Sequence, residues 1–140
     1  MTGFFHAAAV FEVQNFQAAP VAVPPISTAL PVGVFTMRKI YVGAVEGCSI
    51  TLFTSAFDQV SGVGSYIAME SFEGCVDGHS GAFVFLHSAS TRGADRTDEF
   101  FRIVESSGTG ELAGISGTGR IEIAPDGTHR IYIDYRLESG

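Results

Sequence analysis

An acidic side chain stands among aromatic ones in the stretch from Tyr66 to Phe72. Side chains alternate between the two faces of a strand, so Glu70 shares a face with Tyr66, Ala68 and Phe72. A carboxylate with aromatic neighbours loses hydration, which raises its pKa and suits it to general acid or base catalysis. If this face were the outer one, Glu70 would instead lie in water, and the sequence alone leaves both readings open.

The next alternating stretch carries a histidine, with Phe83, Phe85 and His87 on one face. Strands that follow one another in sequence usually pair, so Glu70 and His87 are predicted to face the same space. There the two could transfer a proton at neutral pH. Glu111 is predicted to point into the same cavity beside Glu70. The alternative for His87 is a structural histidine bonded to backbone near a strand end.

Aromatic residues are predicted to contact a bound molecule, namely Tyr66, Phe72, Phe83, Phe85, Phe53 and Tyr41. No metal is predicted, since the four histidines are scattered and no Cys-x-x-Cys motif occurs. The glycine-rich stretch from Ser106 to Gly114 lacks the Lys-Ser/Thr ending and the following helix of a phosphate loop. No serine has the setting of a catalytic nucleophile. The sequence therefore predicts chemistry without a cofactor.

Composition narrows the class of protein. The 140 residues are predicted to form one domain, residues 1–140, and 46% of them are hydrophobic, with 12 phenylalanines. This surplus of large apolar groups predicts an apolar cavity, a homo-oligomer interface (dimer or trimer), or both. A net charge of −7 argues against nucleic acid and anionic membranes as partners. Without a signal-peptide pattern the expected location is the cytoplasm, where Cys48 and Cys75 stay reduced.

Two-residue alternation dominates the chain, and glycines interrupt it at regular spacing. The pattern G-x-x-x-G-x-x-G occurs at Gly74–Gly81 and again at Gly110–Gly117. Glycines within strands mark bulges and close backbone approach, which give a sheet the curvature that a barrel needs. An extended apolar loop is expected over Ala18–Pro31, and a solvated hairpin tip or loop without chemistry over Ser90–Glu99. The predicted strands are Ala9–Phe16, Val34–Val45, Ser49–Phe57, Tyr66–Phe72, Ala82–Ser88, Phe100–Glu105, Leu112–Ile123 and Arg130–Leu137.

Three segments together carry a family resemblance: Glu70–His87, Ser107–Gly117 and Ile133–Leu137. In this order they resemble the bacterial DUF3224 family of unknown function, and the match runs from Phe11 to the C-terminus. That family in turn resembles the allene oxide cyclase barrels. The resemblance implies an all-β fold, an eight-stranded antiparallel β-barrel of allene-oxide-cyclase-like type, often oligomeric and with a hydrophobic cavity. It implies no activity.

The chain departs from that family's pattern towards apolar residues. The family usually has tryptophan where this chain has Phe16 and near Phe101, a Glu-Tyr pair where it has Leu52–Phe53, and often arginine at the position of His79. An acidic, glycine-rich loop is replaced by the apolar Ala18–Pro31. These departures predict a more apolar ligand.

The leading hypothesis is a cofactor-independent isomerase or cyclase acting on an apolar, polyketide- or lipid-like small molecule. Phenylalanine-lined walls would hold the substrate in a reactive conformation, and Glu70 with His87 or Glu111 would transfer the proton. The alternative is a non-catalytic carrier barrel for a small hydrophobic ligand. A third hypothesis is an interaction module whose apolar loop docks a partner protein.

Overall fold

Eight antiparallel strands close into a barrel in the computed structural model, which describes residues 3–22, 24 and 26–138. Each strand pairs with the next in sequence, and β8 returns to pair with β1. The predicted all-β, eight-stranded antiparallel barrel is thus confirmed. The strands are β1 (Phe5–Ala18), β2 (Gly33–Gly43), β3 (Val45–Phe57), β4 (Gly64–Val76), β5 (His79–Arg92), β6 (Asp95–Ile103), β7 (Ile115–Ile123) and β8 (His129–Leu137), with a 3-10 turn (Gly110–Leu112) before β7.

The two ends of the barrel differ. At one end, here called the closed end, Val45, Val76, Leu112 and Ile115 are each at most 1% exposed. The 3-10 turn packs there against β5. The open end is the opposite one, where β3 ends and β4 begins around Phe57–Gly64. Because alternate side chains of every strand point inward, the barrel holds a packed apolar core towards its closed end.

The glycine pattern marks a close approach of two strands. Gly47 of β3 and Gly74 of β4 lie directly opposite each other, with φ angles of 143° and 153°. A Cβ atom on Gly74 would lie 2.0 Å from the carbonyl oxygen of Glu46 and 2.8 Å from the Cα of Gly47. The backbones meet so closely that only glycine fits, which agrees with the curvature predicted from the pattern.

The strands differ from their predicted bounds by one to several residues, and two of the predicted segments also differ in their structure. The strand expected from Leu112 begins at Ile115, because a 3-10 turn occupies Gly110–Leu112. The hairpin tip expected over Ser90–Glu99 is short, since Thr91 pairs with Arg96 and the strands continue almost to the turn. The two arms of this hairpin are strand rather than loop because their backbone groups bond to each other across it.

The predicted apolar loop Ala18–Pro31 lies outside the strands after Ala18, apart from Val23 and Pro25, which are not among the described residues. The amide of Ala19 donates to the carbonyl oxygen of Val34, which joins the start of the loop to β2. Cys48 and Cys75 are free thiols. Over the described ranges, no helix has the length and apolarity needed to cross a membrane.

Candidate functional site

A buried ion pair lies inside the barrel. Lys39 Nζ donates to Glu70 Oε1 at 2.8 Å, and the two side chains are 8% and 1% exposed. Tyr41 and Ser49 both donate their hydroxyls to Glu70 Oε2, the latter at 2.5 Å. The reading in which Glu70 lies in water is therefore wrong. Its carboxylate is fully engaged by three donors.

The pair owes its position to strand alternation. Met37, Lys39 and Tyr41 follow each other on the inner face of β2, all buried. Burial raises the pKa of Tyr41 well above its ordinary value, and the charge of Glu70 raises it further. Tyr41 therefore keeps its proton and donates a hydrogen bond to Glu70 at any physiological pH. Lys39 and Ser49 were not among the predicted site residues. The sequence signal for them was that Lys39 shares a strand face with Tyr41, and Ser49 shares one with Phe53.

His87 forms a second buried pair, with Glu99 of β6. The distance from His87 Nε2 to Glu99 Oε2 is 2.7 Å, and the His87 side chain is 6% exposed. Burial lowers the pKa of His87, and the hydrogen bond to Glu99 only partly opposes that effect. The ring is therefore neutral at pH 7. Because a carboxylate accepts, Nε2 carries the proton and Nδ1 is the unprotonated nitrogen.

Glu70 and His87 lie on the inner faces of adjacent strands, as predicted, but each has its own partners. In the β4–β5 ladder Glu70 is opposite Phe85, and His87 is opposite Ala68. His87 bonds to Glu99 instead of Glu70. The two predicted residues thus share one interior. The carboxylate that bonds to His87 is Glu99, which belongs to the segment predicted to be a loop without chemistry. The sequence signal for this role of Glu99 was that it shares a strand face with Phe101.

Glu99 also closes the seam between β6 and β7. The backbone ladder there has a single register pair, Arg102 with Thr118. Nearer the open end, side chains replace the ladder: Arg96 donates its guanidinium to the carbonyl oxygen of Ile121, and the amide of Ile121 donates to Glu99 Oε2 at 2.9 Å. A groove of about 700 Å³ runs along this seam. One carboxylate oxygen therefore holds both the histidine and the neighbouring strand.

An aromatic cavity of about 440 Å³ opens at the open end, close to His87. The rings of Phe16 and Phe35 stack with centroids 5.0 Å apart, and those of Phe53 and Tyr66 with centroids 5.1 Å apart. The Tyr66 ring in turn lies 5.4 Å from the His87 ring. The cavity lining is completed by Pro31, Gly33, Ser55, Phe57, Gln59, Ser65 and Thr91. Stacked aromatic walls of this kind suit a flat apolar molecule.

The other predicted site residues lie elsewhere. Tyr41, Phe72, Phe83 and Phe85 belong to the packed core cluster, whereas Phe53 and Tyr66 line the aromatic cavity. Glu111 does not lie beside Glu70: it is exposed, and its Oε1 accepts from the amide of Ser80 at 2.9 Å. The 3-10 turn directs Leu112 inward in its place.

Among the described residues, no three side chains of histidine, cysteine, aspartate or glutamate are grouped so that they could hold a metal ion. Instead, Glu70 bonds to Lys39 and Glu99 bonds to His87.

We expect the stability of the barrel to fall as the pH drops below about 6.5, the ordinary pKa of histidine. The pKa of His87 is lowered in the folded state by burial, so the unfolded chain binds a proton first. The contribution of neutral His87 to the free energy of unfolding is complete above the pKa of histidine in the unfolded chain, and it is lost as the pH falls towards the pKa of His87 in the folded state. For one proton the loss is at most about 1.4 kcal/mol per pH unit. Urea unfolding between pH 8 and pH 5 measures it. Burial also lowers the pKa of His129, so the variant His129→Gln is needed to separate its contribution from that of His87. If the dependence of stability on pH vanished in this variant, the assignment to His87 would be contradicted.

Comparison with known proteins gives one family. The model of the family "Protein of unknown function (DUF3224)" matches residues 7–135. A crystal structure of a protein with unknown function from the DUF3224 family of Shewanella oneidensis MR-1 is similar, with a TM-score of 0.84 and 25% sequence identity. The similarity covers 98% of this chain and 99% of that one. A search of the curated proteins finds no match.

Proposed function

The chain belongs to the DUF3224 family, whose function is unknown, and from that premise we propose that it is a cofactor-independent isomerase or cyclase that binds a small apolar molecule at the open end of its barrel. The observation that carries the proposal is the hydrogen bond between the neutral, buried His87 and Glu99, with the His87 ring 5.4 Å from the ring of Tyr66, which lines the aromatic cavity. A base held by a carboxylate next to a pocket is the geometry of general base catalysis.

His87 would act as the base and Glu99 as the residue that positions it. With Nε2 bonded to Glu99, the unprotonated Nδ1 is the nitrogen that can accept a proton from carbon. Its lowered pKa keeps it in the basic form at neutral pH. A positioned general base contributes a factor of about 10²–10⁴ to a rate. Glu70, bound by three donors, would fix Lys39 and Tyr41 and is not the base in this proposal.

The aromatic cavity would supply binding and orientation. Phe16, Phe35, Phe53 and Tyr66 present ring surfaces to a flat apolar body, as a polyketide- or lipid-like intermediate would require. Holding such a molecule in one conformation removes rotational freedom before reaction, an effect that can amount to several kcal/mol, up to about 7–11 in ideal cases.

Proton abstraction by His87 is tested with a model ketone, 2-acetylnaphthalene, in D₂O. The base takes a proton from the methyl carbon, the C–H electron pair forms the enolate, and solvent returns a deuteron to the same carbon. We expect the protein to exchange the methyl protons at least about 100-fold faster than free imidazole at the same concentration. Mass spectrometry of the recovered ketone measures the exchange.

Two variants give the controls for this experiment. His87→Gln should reduce exchange to the buffer rate while the ketone still binds, whereas His129→Gln, which changes a half-buried histidine beyond the pair, should leave exchange unchanged. Equal exchange by His87→Gln and the wild type would overturn the assigned role. A wild type that binds the ketone without exchanging its protons would be the non-catalytic carrier.

Three finer predictions remain proposals: likeness to the allene oxide cyclase barrels, a cytoplasmic location and assembly as a homo-oligomer. For the last, the outer faces of β3 and β4 carry four exposed apolar residues, Ile50, Leu52, Ile67 and Met69. Leu52 and Met69 are direct register partners, so these side chains form one continuous patch that a second copy would cover.

A further inference from the structure

We propose that Thr51 and Lys39 hold an oxygen atom of the bound molecule, so that the substrate class is a flat, neutral, apolar ketone that forms an enol. This inference rests on the proposed function and names the part of the site that recognises the polar end of the ligand. It gives the barrel a preference between two molecules of the same shape, one with the oxygen and one without.

The Thr51 hydroxyl has no partner among the described residues. The side chain is on the inner face of β3 and is fully buried, and its Oγ1 makes no hydrogen bond. Buried hydroxyls are nearly always bonded, because an unpaired one loses its bonds to water without replacement. Its register neighbours are Met37 and Glu70, so the free hydroxyl lies next to the buried ion pair. A ligand oxygen would give this hydroxyl the acceptor that it lacks.

Lys39 offers donors at the same place. Its ammonium carries three N–H groups, of which Glu70 accepts one, and in the described part of the chain no second hydrogen-bond acceptor reaches it. The ammonium also lies 4.8 Å from the centre of the Phe11 ring. Because Glu70 already balances the charge of Lys39, a neutral carbonyl oxygen fits this position better than a second carboxylate, which would face Glu70 unpaired.

Strand geometry places this oxygen site within reach of His87. Thr51 of β3 is level with Phe85 of β5, and His87 is two residues further along that strand. Two strand spacings and this offset put the two backbones about 12 Å apart. Between them, Ala68 of β4 is opposite His87 in register, and its side chain is only a methyl group. The carbonyl oxygen of a ketone and its adjacent carbon are only two bonds apart, so in the proposed complex the inward-pointing side chains of Thr51 and His87 cover most of this distance. The oxygen would lie at Thr51 and the adjacent carbon would face His87. Met37, opposite Thr51, is a flexible side chain that can move aside to admit it.

The test compares two probes of similar shape, 2-acetylnaphthalene and 2-ethylnaphthalene, by calorimetric titration against the wild type, Thr51→Val and Thr51→Ser. We expect Thr51→Val to lose about tenfold in affinity for the ketone, the size of one hydrogen bond, and less than twofold for the hydrocarbon. Thr51→Ser retains a hydroxyl and should keep the ketone affinity. Thr51→Val should also raise the melting temperature by roughly 2–4 °C, because it removes an unpaired buried hydroxyl.

The outcomes separate this inference from the proposed function. If both probes bind the wild type with equal affinity, or if Thr51→Val weakens both equally, the oxygen site is overturned while the apolar cavity stands. If neither probe binds, the proposed function fails and the inference with it. A ketone preference that Thr51→Val abolishes and Thr51→Ser keeps supports the inference.

Discussion

Glu70→Met should destabilise the barrel by about 3–5 kcal/mol, the range measured when one partner of a buried ion pair is removed. The variant deprives the ammonium of Lys39, a side chain that is only 8% exposed in the wild type, of its carboxylate partner. It also deprives the Tyr41 and Ser49 hydroxyls of their acceptor. Domains of this size are stable by about 5–15 kcal/mol, so the loss is a large part of the total. The midpoint of urea unfolding measures it.

The matched control removes both charges. Lys39→Met combined with Glu70→Met should recover most of the loss, because two apolar side chains replace the pair and no buried charge is left. Recovery should be incomplete, since Tyr41 and Ser49 still lack an acceptor. The double-mutant cycle gives the coupling between the two positions. A Glu70→Met variant within about 0.5 kcal/mol of the wild type, the range of ordinary surface changes, would show that the pair does not stabilise the fold.

Alternation was sufficient to group side chains by strand face, but it left open which face points inward and which side chains meet there. Aromatic residues flank Glu70 and His87 at two-residue spacing, and of the two readings left open the inward one is the one that the structure bears out. Lys39 was overlooked, since lysine is rarely buried and its partner is two strands away. Glu99 was assigned to a loop because charges surround it in the sequence. Partners across non-adjacent strands depend on barrel register, which local pattern does not contain.

The aromatic cavity shows the same limit. Phe53 and Tyr66 line it, whereas Phe72, Phe83 and Phe85 fill the core. All five are aromatic residues in alternating stretches, and they differ in their distance from the open end. That distance follows from where the 3-10 turn closes the barrel. The turn lies in a stretch that alternation had predicted as strand, so cavity and core could not be told apart beforehand.

Gly74→Ala should cost the barrel about 4 kcal/mol or more, beyond the range of most single substitutions. The added Cβ would lie 2.0 Å from the Glu46 carbonyl oxygen and 2.8 Å from the Gly47 Cα. Both atoms are backbone of the paired strand, so relief requires β3 and β4 to separate where the glycines face each other. The φ angle of 153° adds a second cost for any residue with a Cβ. Thermal unfolding of the purified variant measures the loss.

Gly78→Ala is the matched control, since it too has a positive φ, 82°, but no atom lies within 4 Å of its added Cβ. It isolates the conformational cost, about 1–2 kcal/mol, from the steric one. Equal losses in the two variants would mean that backbone conformation alone requires glycine at Gly74. A larger loss at Gly74 would mean that the close approach of the strands does. Because Gly47 is two residues from Ser49, whose hydroxyl donates to Glu70, separation of the strands there should also weaken the buried pair.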